Sequence, residues 1–269
     1  MTGDGVSLHL DCAGEGRPMV FQHGLCGDCG QPAQVFPAEA GFRRLTLECR
    51  GHGSSECGPV HDLSIAQFTD DLAAMIEDQL SGPCVVGGIS MGAAVALRLA
   101  VIRPDLVTAL VLARPAWLVA DAPVNMAPNA LVGDLLARYP PDVAVTRFEA
   151  SPIAAELAET APDNLASLRG FFNRWPLSNT AALLSRISAD GPDVTQAELA
   201  ALRIPVLILV TAEDAIHPID HGRRLAQMIP GANLVEIVPK GRDRAAHLSA
   251  MRSTILHFLK GLPNAAPAL

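Results

Sequence analysis

Apolar and glycine residues Val85-Val86-Gly87-Gly88-Ile89 lead into Ser90, and Met91-Gly92 opens an alanine-rich run behind it. That order describes a strand, a sharp turn and a helix, with a serine at the apex and glycines two residues to either side. Glycine at both places lets strand and helix pass closely enough for the hydroxyl to stand exposed on a strained turn. A serine is a weak nucleophile until a base takes its proton, and the base must itself be oriented by an acceptor. Later strand ends supply both groups. After the apolar run 206–210 comes Glu213-Asp214-Ala215-Ile216-His217, with Asp214 expected to leave the strand end facing the serine. Glu213 and Asp243 are the alternative acids. After the run 234–238 comes a polar loop that ends in His247, the expected base. His217 follows Asp214 too closely, on this reading, to reach back to it. His9, His61, His221 and His257 sit in no motif.

Acyl transfer also needs two backbone donors for the developing oxyanion. Met91 N–H opens the helix beside Ser90. The second is expected from the strand end Gln22-His23-Gly24-Leu25-Cys26, with Leu25 N–H preferred and Cys26 N–H the alternative. His23 is expected to brace that loop. Arg114 follows the run 108–113, where a guanidinium would bind a substrate carboxylate through two parallel hydrogen bonds. The plainer expectation is that Arg114 pairs with an acid such as Asp121 or reaches solvent. Arg147 and Arg174 are weaker candidates for the same task. Cys26, Trp117, Phe171 and Trp175 are the remaining expected substrate contacts.

The elements that must position these groups alternate in the manner of a mostly parallel sheet covered by helices. Strands are expected at 6–11, 19–22, 44–48, 84–89, 108–113, 206–211 and 234–238. Helices are expected at 65–80, with Ser64 as N-cap, and at 91–102, 221–228 and 247–259. A long segment rich in proline, alanine and aromatic residues interrupts the alternation. A structureless loop of that length is improbable in a compact domain. It therefore reads as a helical cap over 117–178, followed by a return helix at 179–188, inserted into a core domain made of 1–116 and 179–269. The last residues, from 263, read as a frayed terminus.

With 49% hydrophobic residues, the 269-residue chain can bury one large α/β core. A formal net charge of −8 argues against nucleic acid and anionic membrane as partners. The polar start Met1-Thr2-Gly3-Asp4-Gly5 is unlike a signal peptide, and no apolar run spans a bilayer, so the expectation is a cytoplasmic protein. A small molecule is the expected substrate, and a monomer or homodimer the expected state. Cysteines stand at 12, 26, 29, 49, 57 and 84 and are expected as reduced thiols. Cys26 and Cys29 have metal-like spacing near Cys49 and Cys57, but the pairs are unevenly spaced, and neither a metal nor an organic cofactor is expected.

Taken in order, His23-Gly24, Arg50-Gly51-His52-Gly53-Ser54-Ser55, Gly88-Ile89-Ser90-Met91-Gly92, Asp214 and His247 resemble the α/β-hydrolase superfamily. The stretch from Gln22 to Trp117 is most similar to the branch of 3-oxoadipate enol-lactonases and small carboxylesterases. The resemblance implies an α/β-hydrolase fold with a mostly parallel eight-stranded sheet, its second strand antiparallel, and a helical cap after strand 6. It also implies a serine hydrolase of a small carboxylic ester or lactone, acting through an acyl-enzyme on Ser90. Glu48 stands where the family usually has Asp, and Ala93 where many relatives have Gly. Carbon–carbon bond hydrolases of this fold often carry Asn before the serine and Trp after the histidine. Ile89 and Leu248 leave that activity as the alternative, beside a ligand receptor of the same fold. Ser90 at the turn excludes the aspartate-dependent dehalogenase and epoxide hydrolase chemistries.

Overall fold

Runs of β-branched and leucine residues make the strands, and their side chains alternate between two covered faces. In this computed structural model, which describes residues 2–263, the strands are β1 (Leu10–Ala13), β2 (Arg17–Gln22), β3 (Phe42–Leu47), β4 (Cys84–Ile89), β5 (Val107–Ala113), β6 (Val206–Thr211) and β7 (Asn233–Ile237). They form one sheet in the order β1-β3-β2-β4-β5-β6-β7, parallel except for β1, which runs antiparallel to β3. Along β4, Val85 joins one apolar cluster and Val86 the other; along β6, Leu207 and Leu209 oppose Ile208 in the same way. This two-residue period, buried on both sides, is that of a central parallel strand.

All seven expected strands are present, the first shifted from 6–11 to Leu10–Ala13. The backbone just before it bonds to a turn instead of a strand. Ser7 N–H donates to the Glu56 carboxylate, and His9 N–H to Ser55 Oγ. The sheet therefore has seven strands among the described residues, not eight. Its antiparallel member is the first strand, and the helical insertion follows the fifth.

Helices α1 (Gly30–Val35) and α11 (Arg244–Gly261) cover one face, burying Val35, Met251 and Ile255 against Met19, Phe21 and Val111. On the other face lie α2 (Ile65–Gln79), α3 (Met91–Ile102) and α10 (Ile219–Met228). Ser64 caps α2 as expected, its Oγ accepting from Gln67 N–H at 3.0 Å. Leu72, Met75 and Ile76 are its buried stripe.

Between β5 and β6 stand α4 (Ala127–Arg138), α5 (Pro141–Glu149), α6 (Pro152–Thr160), α7 (Pro162–Phe171), α8 (Leu177–Ser188) and the short α9 (Gln196–Ala201). Prolines occupy the first turn of α4 to α7, where the missing N–H costs no hydrogen bond. The expected return helix begins two residues early and packs along α4. A Cβ on Gly133 would meet Ser185 N at 2.7 Å, so the two backbones touch there. Phe148 and Phe172 are buried within this helical layer, ring centroids 5.5 Å apart. Removing either ring would cost about 3–5 kcal/mol. The buried residues of the helical layer thus join the same apolar cluster as one face of the sheet. Residues 264–269, most of the expected frayed end, lie outside the described residues. Among the described residues no helix is long and apolar enough to cross a membrane.

Candidate active site

Ser90 sits where β4 gives way to α3, with φ 57° and ψ −112°, a strained turn that aims its hydroxyl out of the sheet. Close approach explains both flanking glycines. A Cβ on Gly88 would lie 2.4 Å from the Gly92 backbone, and one on Gly92 would lie 2.6 Å from Gln22 O. Ser90 Oγ stands 2.8 Å from His217 Nε2.

The ring of His217 comes from the turn after β6. Glu213 takes the left-handed conformation, φ 58°, and Asp214 follows it. Asp214 Oδ1 accepts the His217 backbone N–H at 3.1 Å, which closes the turn and folds the ring back over the carboxylate. His217 Nδ1 is then 2.9 Å from both Asp214 oxygens. A spacing of three residues thus permits the contact that seemed too tight in the sequence.

His247, the expected base, is not brought to Ser90. The Asp243 carboxylate accepts from Ala246 N–H and starts α11 at Arg244, so His247 lies inside the first turns of a helix instead of on the preceding loop. Its buried ring donates from Nδ1 to Val238 O at 2.8 Å. The alternative acids are also occupied elsewhere, Asp243 as this cap and Glu213 with Arg242 at the surface.

Asp214 is the most heavily bonded carboxylate of the site. Arg114 Nε and Nη2 donate to its Oδ2 at 3.0 and 2.6 Å, and Asn164 Nδ2 donates to its Oδ1 at 2.9 Å. Burial pushes the carboxyl up, but the charges of His217 and Arg114, with their hydrogen bonds, hold it well below the usual carboxylate range. Burial pushes His217 below its ordinary value; Asp214 offsets this only in part, and Arg114 adds to it. The imidazole is therefore neutral at neutral pH. With Nε2 accepting from Ser90, Nδ1 carries the proton and donates to Asp214. Arg114 is thus neither free for a substrate carboxylate nor paired with Asp121.

The loop after β2 carries the expected oxyanion donors. Gly24 N–H donates to Gln31 Oε1 at 2.8 Å, and Cys26 N–H to His52 Nε2 at 3.0 Å. The Cys26 amide, the alternative donor, is therefore occupied. Between them, Leu25 N–H has no acceptor among the described residues. Met91 N–H is the first amide of α3 and has no acceptor within its helix. His23 braces the loop, with Nδ1 on Gly24 O at 2.9 Å and Nε2 accepting Cys49 N–H at 3.0 Å. Burial lowers the pKa of both His23 and His52, which keeps each ring neutral and able to accept. Glu48 accepts from Cys29 N–H and Ser54 N–H, tying this loop to the turn around Gly53.

Ser90 and His217 open onto a cavity of about 140 Å³. Of the expected substrate contacts, Arg114 and Phe171 line it. Trp117 is buried elsewhere, its Nε1 donating to Asp190 O at 2.8 Å, and Trp175 is 74% exposed; neither lines the cavity. Cys26 also lies outside the lining. Arg174 spends its guanidinium on Cys26 O, Gly51 O and Thr180 Oγ1, and Arg147 lies over the Tyr139 ring. Cys26, Cys29, Cys49 and Cys57 do not assemble into a ligand set among the described residues. Cys29 instead groups with His9 and Asp11, their ligand atoms within 4.8 Å of one another, and Asp11 there is held by Arg44. Burial pushes the Cys26 thiol up to about 12 and the Cys29 thiol to about 11.

Sequence reasoning passed over His217, Asn129 and Asn164. The only signal for His217 was its place one turn after the acid, and no pattern marked either asparagine.

A family model described as serine aminopeptidase, S33 matches residues 17–242, a span that contains Ser90, Asp214 and His217 and stops short of His247. Pimeloyl-[acyl-carrier protein] methyl ester esterase from Nitrosomonas europaea is 29% identical over 236 residues, 86% of this chain and 90% of that protein. The enol-lactonase of Burkholderia xenovorans LB400 superposes with a TM-score of 0.70 at 25% identity, covering 95% of this chain and 97% of its own. A bromoperoxidase from Bacillus anthracis has the same fold, with a TM-score of 0.69, 22% identity and coverage of 95% and 96%. The chain belongs to the serine aminopeptidase S33 family of the α/β-hydrolase superfamily.

Proposed function

We propose that the chain is a serine hydrolase of a small carboxylic ester or lactone, working through a Ser90–His217–Asp214 triad. The observation that carries this reading is the 2.8 Å contact from Ser90 Oγ to His217 Nε2, with Asp214 on the far ring nitrogen. Ser90 attacks the carbonyl carbon and passes its proton to His217 Nε2, while Asp214 stabilises the imidazolium. The N–H groups of Leu25 and Met91 receive the oxyanion. His217 returns the proton to the leaving alkoxide, giving an acyl-enzyme on Ser90. Water, activated by His217, then releases the acid.

An ester or lactone is favoured over an N-terminal peptide by the charge of the site. Capturing a substrate ammonium calls for a free carboxylate, and the described cavity lining contains none. Its charged members are the cations Arg114 and Lys240, paired with Asp214 and Asp163. The esterase and enol-lactonase among the similar proteins support the same choice.

The test is turnover of short-chain 4-nitrophenyl esters, γ- and δ-lactones and aminoacyl 4-nitroanilides by the wild type and by Ser90→Ala and His217→Ala. Ester or lactone hydrolysis abolished by both substitutions is expected. Turnover of the anilides alone, or activity surviving Ser90→Ala, would overturn the proposal.

A further inference from the structure

One polar side chain at the cavity has no hydrogen-bond partner among the described residues. Asn129, in the first turn of α4, is 5% exposed and lines the cavity beside Ser90. Its Oδ1 is sealed from the cavity without a hydrogen bond among the described residues, whereas its Nδ2 is not sealed and stands free to donate. The other polar side chains of the lining are each engaged. Asn164 holds Asp214 and Ala215 N–H, Gln31 holds Gly24 N–H, Ser167 donates to Asp163 O, and Lys240 pairs with Asp163. A buried amide without a partner is costly, and buried polar groups are nearly always satisfied. At the cavity, the free donor Nδ2 is the group of Asn129 that a bound molecule can meet.

We infer that Asn129 is a specificity-determining residue that hydrogen-bonds a hydroxyl on the substrate, so the preferred substrates are small, uncharged hydroxy-acid esters or the matching hydroxy-lactones. A substrate hydroxyl accepts from Nδ2 through its oxygen lone pairs. Charge points away from a carboxylate, because both cations of the lining are already matched by acids. Around Asn129 the wall is apolar, with Met126, Leu168, Phe171 and Ile216, so an unhydroxylated acyl chain would fit and still leave the amide unpaired. A site built to bond a substrate hydroxyl discriminates strongly against the analogue that lacks it.

This inference rests on the ester or lactone reading but is tested separately from it, by binding to the inactive Ser90→Ala protein. Methyl butanoate and its 2-hydroxy and 3-hydroxy counterparts are titrated calorimetrically. One hydroxylated ester is expected to bind about tenfold more tightly or better than methyl butanoate. In Ser90→Ala/Asn129→Leu that preference is expected to vanish or reverse, with the melting temperature unchanged or raised because an unpaired buried amide has been removed. Ser90→Ala/Asn129→Ser, which keeps a smaller polar group, provides a second reading should the leucine protein fail to fold. Equal affinities for the three esters, or a hydroxyl preference that survives either substitution, would overturn the inference. Failure of the wild type to hydrolyse any ester would overturn the proposed function and leave these binding ratios to stand or fall alone.

Discussion

Arg114 and Asp214, 100 residues apart in the chain, meet on a single carboxylate oxygen, with Arg114 Nε and Nη2 at 3.0 and 2.6 Å from Oδ2. The other oxygen takes Asn164 and the backbone N–H of His217, and the His217 ring lies at 2.9 Å from both oxygens. The acid of the proposed triad is thus charge-balanced before the base is protonated, and burial together with the Arg114 charge keeps the histidine neutral beside a carboxylate.

The first prediction separates the two histidines. His217→Ala is expected to lower kcat/KM by about 10⁴-fold or more, as is Ser90→Ala. His247→Ala removes a buried hydrogen bond to Val238 O and should cost about 1 kcal/mol of stability while leaving kcat within a few-fold. Steady-state kinetics with urea unfolding checks both. A larger loss from His247→Ala than from His217→Ala would reassign the base.

The second concerns pH. A base works only when neutral, and burial with the nearby Arg114 charge lowers the pKa of His217. The kcat/KM profile should therefore stay flat as pH falls through the ordinary histidine range and decline only below it. Arg114→Gln removes a cation that opposes protonation, so the acid limb should move to higher pH. An acid limb that stays put, or moves down, would show that Arg114 does not tune the base.

The third concerns the helical layer. Asn164 reaches from α7 to Asp214 and to Ala215 N–H at 2.9 and 2.8 Å. Asn164→Ala leaves that amide and part of the carboxylate unpaired, which should cost about 1–3 kcal/mol. The expected signature is a lowered kcat with KM little changed, together with a reduced melting temperature.

The fourth concerns Arg50, a buried guanidinium forked onto Asp71 at 2.7 and 2.8 Å and bonded to Asp4 at 2.6 Å. Arg50→Ala strands the buried Asp71 and should destabilise the fold by about 3–5 kcal/mol. Arg50→Ala/Asp71→Ala should lose less than the sum of the two single changes, a coupling that denaturant titration of the four proteins would measure.

Much of this was legible in one dimension. The buried strands announce themselves as continuous apolar runs, and the glycines around Ser90 report a close backbone approach that no other residue tolerates. Asp214 followed from the end of β6. The proposed base did not, because chain order pointed past β7, whereas a left-handed residue at Glu213 and one side-chain-to-backbone bond turn His217 back within three residues. Arg114 was placed correctly at the end of β5, but its partner was hidden, since pairing across 100 residues leaves no local pattern. The aromatics misled for a plainer reason. Large apolar side chains gather wherever something must be buried, and of the three expected at the substrate Phe171 lines the cavity, Trp117 is buried away from it and Trp175 is exposed.

With proton acceptor and orienting acid on one four-residue turn, the two travel as a cassette. A shift of that turn against Ser90 breaks the contact to the serine and loosens the bonds from Arg114 and Asn164, yet leaves the pair itself intact. The stretch from β7 to α11 then supplies no member of the proposed triad, and its tie to the site is Lys240, which lines the cavity and pairs with Asp163.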